Sequence, residues 1–398
     1  MHLRRLSKLL LVLAALACLA GEAWAKPAVK DLRIGAHPDK TRFVLELTEE
    51  PAYRIFTLPS PYRVVIDLNE LDWAIPAAAT PKSGGAIAML RHGLFAPGTT
   101  RVVLDAEQPV AVKSVFLLPP NETYAYRLVV DLAKVTAGEF ASAQQTFASD
   151  KELPKPAPIT RDAAKDAAYE RITVVIDPGH GGVDPGATGR SGIYEKHIVL
   201  SFAKELARLL EAEGRYNVVM TRERDIFVKL SDRRELARRA GADLFISVHA
   251  DTHSDGDLRG TSIYTLSEKA SDSVAAQLAS QENKADLIAG IELQEHGDEV
   301  SNILLDLTQR ETMNLSARFA SMVVEDLQDR THLLRNTHRF AGFVVLKAHD
   351  VPSVLVELGF LSNRQDEEKL RSEKERQALA EGLVDAVNRY FAWQQSMR

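Results

Sequence analysis

One short phrase recurs four times in the first third of the chain and constrains its fold more than any other feature. It appears as Arg42-Phe43-Val44-Leu45-Glu46-Leu47, Arg63-Val64-Val65-Ile66-Asp67-Leu68, Arg101-Val102-Val103-Leu104-Asp105 and Arg127-Leu128-Val129-Val130-Asp131-Leu132. Each copy is short, rich in β-branched residues and bounded by Pro, Gly or Asn, which marks strands. The copies also pair at longer range: Phe56, Leu58 and Pro59 return sixty residues later as Phe116, Leu118 and Pro119. Residues 26–135 therefore read as an internal duplication. No helical period competes, so the expected closure is an all-β sandwich, each half supplying one sheet that buries its apolar face on the other. The flanking Arg and Asp residues are expected to pair across strands on solvated faces, with a ligand surface as the alternative.

From Thr136 to Glu170 the pattern dissolves, and Pro154, Pro156 and Pro158 alternate with other residues as in a stiff, extended tether. From Arg171 onward, strands are expected at 174–176, 216–221, 244–248, 262–266, 343–346 and 354–357. Helices are expected at 198–210, 230–240 and 373–391, with long helical stretches from Ala270 and from Glu311. Strands alternating with helices imply an α/β domain, residues 171–398, with a mostly parallel sheet flanked by helices. The basic residues of 229–239 read as the solvated face of a helix.

Composition narrows the classes. Of 398 residues, 45% are hydrophobic and 26% charged, which argues against fibrous or wholly disordered chains. A net charge of −6 disfavours a nucleic-acid partner held by general electrostatics. The single cysteine, Cys18, excludes a disulfide scaffold and a thiolate metal cluster. Residues 1–25 carry a basic start at Arg4, Arg5 and Lys8, an apolar run, and Ala23-Trp24-Ala25. That is the layout of a secretory signal peptide, so a periplasmic, disulfide-free mature chain is expected. No later apolar stretch is long enough for a membrane span.

Three strings carry chemistry. Asp177-Pro178-Gly179-His180-Gly181-Gly182 follows the first strand of the second domain, Ser247-Val248-His249-Ala250-Asp251 follows another, and Val356-Glu357-Leu358-Gly359-Phe360 ends a third. Ligands of parallel sheets gather at the carboxyl ends of strands, so His180, His249 and Glu357 should converge, with Glu195 brought over the same edge at the start of a helix. Two imidazoles, one carboxylate and one open position describe a catalytic zinc site, and a further carboxylate beside it would accept a proton from water. Glu195 and Glu357 divide those two tasks. An unpaired carboxylate at Glu357, within an apolar strand, requires a partner or a function.

The DPGHGG run with Glu195-Lys196, the SVHAD run and the VELGFLSN run resemble the zinc-dependent N-acetylmuramoyl-L-alanine amidases of bacterial cell division, and residues 26–135 resemble the AMIN domain that precedes such catalytic domains. The resemblance implies His180, Glu195 and His249 as ligands of one Zn²⁺ and Glu357 as the catalytic glutamate. Its implied substrate is peptidoglycan, cut between N-acetylmuramic acid and L-alanine during septal wall splitting. His197 departs from the residue relatives often carry, without touching a ligand; His253 and His349 are expected to be surface or supporting residues. The resemblance also implies a blocking helix, here within an insertion at 284–310, moved by a LytM-type activator. Glu299 is the candidate carboxylate for the open zinc position, with Glu292 and Glu295 behind it. A monomer is expected. The rival readings are a wall-binding scaffold and a zinc carboxypeptidase or endopeptidase of the stem peptide.

Overall fold

The computed structural model describes residues 26–143, 145–154, 171–291 and 303–397. The signal-peptide reading falls on residues 1–25, outside the described residues. The N-terminal unit contains β1 (Ala28–Ala36), β2 (Thr41–Leu47), β3 (Tyr53–Leu58), β4 (Arg63–Asn69), β5 (Asp72–Trp73), β6 (Met89–Ala96), β7 (Thr99–Asp105), β8 (Val110–Leu118) and β9 (Tyr126–Lys134). These form two sheets, ordered β5-β1-β2-β9-β8 and β10-β3-β4-β7-β6, where β10 is Phe147–Ala148. The sandwich is as expected, but its assembly is not. Each half of the duplication gives one hairpin to each sheet, because the four recurring phrases pair between halves: Arg42 lies opposite Asp131, and Asp67 opposite Arg101. Inward-facing Phe43, Leu45, Val64, Ile66, Val102, Leu104, Leu128 and Val130 fill the core.

The segment read as a tether begins with structure. Helix α1 (Ala137–Ser142) is closed by a capping box between Thr136 and Glu139, and β10 extends the second sheet by pairing with β3.

The second unit comprises β11 (Ile172–Pro178), α2 (Glu195–Ala212), β12 (Tyr216–Met220), α3 (Leu230–Arg239), β13 (Leu244–His249), β14 (Thr261–Leu266), α4 (Ser273–Glu282), α5 (Ala285–Ile288), α6 (Ile303–Leu327), β15 (Leu333–Ala341), β16 (Ser353–Glu357), α7 (Arg364–Arg371) and α8 (Glu373–Ser396). Its sheet runs β12-β11-β13-β16-β14-β15 and is parallel except where β14 pairs antiparallel with β16. Strand alternation splits the core in two. Val174, Ile176, Leu244, Ile246 and Val248 pack with Phe202, Phe319 and Tyr390 on one face, while Val175, Phe245 and Leu355 pack with Ala237, Leu278 and Phe343 on the other.

Two expectations are corrected. Residues 344–346 form a 3₁₀ turn, and the neighbouring strand is β15; Phe343, Val345 and Leu346 are apolar because they fill the core beneath α3 and α4, and Gly342 separates them from the ladder. Arg233, read as part of a solvated face, is 1% exposed and donates to Asp177, Pro178 and His180 at the carboxyl end of β11. Among the described residues, no helix is long and apolar enough to cross a membrane.

Candidate metal centre

The centre is built on the carboxyl ends of β11, β13 and β16. After β11 the chain turns sharply through Gly179 to Gly182, and His180 itself sits at φ +57, where ordinary side chains are uncommon. Buried guanidinium groups hold that turn. Arg233 donates to the carbonyls of Pro178 and His180, both at 2.8 Å, and to Asp177 Oδ1 at 2.7 Å. Arg222 donates to the carbonyls of Pro178 at 3.0 Å and Gly179 at 2.7 Å. Asp177 also accepts from the Thr221 and Ser247 hydroxyls; burial works against its charge, but Arg233 and these donors hold its carboxyl below the usual range. Residue 179 must be glycine, since a Cβ there would lie 2.3 Å from the His249 ring.

His249 closes β13 and lies in register with Glu357 of β16. Glu195 is the first residue of α2 and continues its buried stripe of Ile198, Val199 and Phe202. Its carboxylate accepts from the backbone N–H of Ala187 at 2.9 Å and of Ala250 at 2.8 Å. These anchors bring three ligand atoms together: His180, Glu195 and His249 each offer one, all within 4.8 Å of one another. Glu195 Oε1 stands 3.2 Å from His180 Nε2 and 3.2 Å from His249 Nδ1. Asp184 Oδ2 lies 2.9 Å from His180 Nδ1, which orients the ring and turns its other nitrogen inward. Neither inward nitrogen makes a hydrogen bond of normal geometry. The three side chains form a group that could hold a metal ion.

A fourth carboxylate closes the group. Glu282, the last residue of α4, places Oε2 3.0 Å from His249 Nδ1 and 3.4 Å from His180 Nε2. The cavity left between His180, His249, Glu282 and Arg233 is about 10 Å³, room for about one water. Glu282 was not among the sequence candidates. Its signal was present nonetheless, because Ala275, Leu278, Ala279 and Glu282 form one buried helical stripe that ends in a carboxylate. Glu299, Glu292 and Glu295 lie outside the described residues.

The electrostatics are those of a crowded anionic site. Burial opposes protonation of His180, yet Glu195, Asp184 and Glu282 raise it well above the usual range. His249 is pushed up to about 10, again against burial, chiefly by Glu282 and Glu195. Burial and the charge of Glu195 raise Glu357 well above an ordinary carboxyl. Asp251 is pushed up to about 8 by burial, Glu195 and Glu282. Glu357 Oε1 accepts from the Asp251 N–H at 2.6 Å and is 1% exposed. This much negative charge around two imidazoles demands protons or a cation. His253 instead steadies its own loop, with Nδ1 accepting from the Asp255 N–H.

Comparison with known proteins gives the family. The sequence profile of the N-acetylmuramoyl-L-alanine amidases fits residues 174–389, and that of the AMIN domain fits residues 31–132. N-acetylmuramoyl-L-alanine amidase AmiC of Neisseria meningitidis serogroup B is 35% identical over an alignment of 402 positions, covering 98% of this chain and 96% of the relative. The chain belongs to the N-acetylmuramoyl-L-alanine amidase family. AmiC of Escherichia coli O6:H1 is also 35% identical, over 91% of this chain and 89% of its own. AmiA of Escherichia coli K12 is 38% identical over 69% of this chain and 94% of its own. The chain is thus a peptidoglycan amidase with an AMIN domain ahead of an α/β catalytic domain.

Proposed function

We propose that this amidase is a zinc enzyme, exported to the periplasm, that splits septal peptidoglycan by cutting the amide between the lactyl group of N-acetylmuramic acid and L-alanine. The observation that carries this reading is the convergence of His180, Glu195 and His249, with Glu357 on the neighbouring strand. The donor set suits zinc: bonds of about 2.0–2.1 Å in a tetrahedron put ligand atoms about 3.3 Å apart. Glu195 Oε1 stands 3.2 Å from each imidazole nitrogen. When bound, zinc supplies polarisation of the substrate carbonyl and acidification of water.

The chain supplies the rest. His180, held by Asp184, and His249, held against Gly179, keep fixed positions in the ligand set. Glu357 takes the proton of the attacking water and returns it to the alanine nitrogen as the carbon–nitrogen bond breaks. Burial suits it to this work by raising its proton affinity. Glu282 supports a second element of the reading: this is a closed form, with a carboxylate where substrate would enter, and an activator of the LytM type would have to withdraw α4. A lid of this kind is a two-state switch.

Mass spectrometry of fragments released from purified peptidoglycan tests the reaction. Intact stem peptides beginning with L-alanine are expected; trimmed peptides would mark a carboxypeptidase or endopeptidase and refute the proposal. Glu357→Ala should retain zinc, measured by elemental analysis, and lose turnover by about 10²–10⁴-fold. Glu282→Ala should raise the rate measured without activator.

A further inference from the structure

The second sheet of the β-sandwich faces the catalytic domain, and three of its arginines end on one short segment. Arg63 donates to the carbonyl of Leu287, Arg91 to that of Ile288, and Arg101 to those of Ala289 at 3.0 Å and Gly290 at 3.2 Å. These are successive carbonyls at and just past the end of α5, where helical partners thin out; that of Leu287 also accepts from the Gly290 N–H at 2.9 Å. Each guanidinium is itself aimed from within the sandwich. Arg101 is held by Asp67 at 2.6 and 2.9 Å, Arg91 by Asp105 at 2.7 Å, and Arg63 by the carbonyls of Pro61 and Pro59. The segment also seats closely: Ala289 packs with Val103, Val183 and Phe227, and a Cβ on Gly290, at φ +74, would approach Val65 to 3.0 Å.

Internal duplication supplies a built-in control. Register places Arg33, Arg42 and Arg127 of the first sheet where Arg91, Arg101 and Arg63 stand in the second, with Glu46 and Asp131 in the places of Asp105 and Asp67. The two sheets therefore carry the same arginine triad. Among the described residues only one triad meets a segment of the catalytic domain, and that segment starts three residues after Glu282.

We propose that the arginine-lined face of the second sheet is a binding site for the carbonyl row 287–290, through which the β-sandwich holds α4 and α5 closed and so inhibits the catalytic domain in cis. The proposal rests on the reading of Glu282 as the group that closes the site. Only Asn283 and Lys284 separate Glu282 from α5, and Asn283 is itself tied to Gly342 and Val344. Withdrawal of the α4 backbone that carries Glu282 would therefore pull on α5. Release of 287–290 from the arginines is then a step in opening, and whatever displaces the sandwich face activates the enzyme.

The test uses the full zinc-loaded chain without activator, and follows release of label from dye-labelled peptidoglycan together with amide exchange at residues 285–291. Arg63→Gln with Arg91→Gln removes charge-assisted bonds to two carbonyls and should raise the basal rate on the order of tenfold and speed that exchange. The matched pair Arg127→Gln with Arg33→Gln, on the first sheet, should change neither. Gly290→Leu pushes the segment off the sheet without altering the sandwich and should act like the first pair. If folded Arg63→Gln/Arg91→Gln and Gly290→Leu both keep the parental basal rate while Glu282→Ala raises it, the sandwich does not hold the closed form and the proposal is overturned. If Glu282→Ala also leaves the rate flat, the closing role of Glu282 falls. Exchange then judges the binding site alone, and unchanged exchange at 285–291 in the first pair overturns it.

Discussion

The two sheets of the sandwich are copies of one another, yet they live in different environments. In the first, β2 alternates buried and half-buried residues, as a sheet with one wet face does. In the second, β4 and β7 are buried at six consecutive positions. The same arginine–carboxylate cross is 37% exposed at Arg42 and 5% exposed at Arg101. Docking accounts for the contrast. Leu94 of β6 bridges Ile226 of the catalytic domain, Phe95 stacks on Phe227, and Arg101 lies 3.3 Å over the Phe95 ring. On the first sheet Phe116, the counterpart of Phe56, stays 46% exposed. Duplication thus provided one chemical surface twice, and the described residues cover only one of them.

Matched substitutions on the two sheets would sharpen or break that contrast. Arg101→Ala strands Asp67 without its ion-pair partner, and thermal or denaturant unfolding should show a loss of about 3–5 kcal/mol. Arg42→Ala leaves Asp131 with Lys40 at 3.0 Å, in a more open setting, and should cost only about 1 kcal/mol. Equal losses would mean that the two faces are energetically alike and that docking contributes nothing.

Glycine gives the next pair. A Cβ on Gly93 would lie 2.2 Å from the Gly182 backbone, whereas a Cβ on Gly35, its counterpart, meets the end of the His37 side chain at 3.3 Å and backbone only at 4.0 Å. Gly93→Ala should cost about 1–3 kcal/mol through forced displacement and open the contact between domains, seen as faster amide exchange at 226–227. Gly35→Ala should leave both unchanged.

The smallest expected effect is a pH dependence. Asp131, bonded to Arg42 and then Lys40, has its carboxyl held below the usual range. Because the folded value is depressed, its contribution to stability is complete above about pH 4, the unfolded value, and is lost as pH falls further. Arg42→Ala should flatten this acid limb of a stability–pH profile; a profile unchanged by that substitution would show that the pair is inert.

Much of the site was legible along the chain because its parts are local strings. A glycine-rich turn after a strand, a histidine at the end of another and a carboxylate within an apolar strand announce themselves by type and neighbours. Glu282 was harder, since its stripe of Ala275, Leu278 and Ala279 reads as ordinary packing until the imidazoles appear opposite it. Arg233 was misread for a related reason: in a helix with several basic residues, only the position of Asp177, fifty-six residues earlier, shows which one turns inward.

By itself the sequence determined most strand and helix periods and the duplicated sandwich, and it singled out His180, Glu195, His249 and Glu357 as candidates, because those follow from patterns within a few residues of each position. Tertiary structure alone decided which half pairs with which, which arginine triad is covered, and which further carboxylate lies against the two imidazoles. Those outcomes depend on surfaces that meet across gaps of up to 224 residues, as between Arg63 and Leu287. Local pattern states what a surface can bind, but only docking selects its occupant.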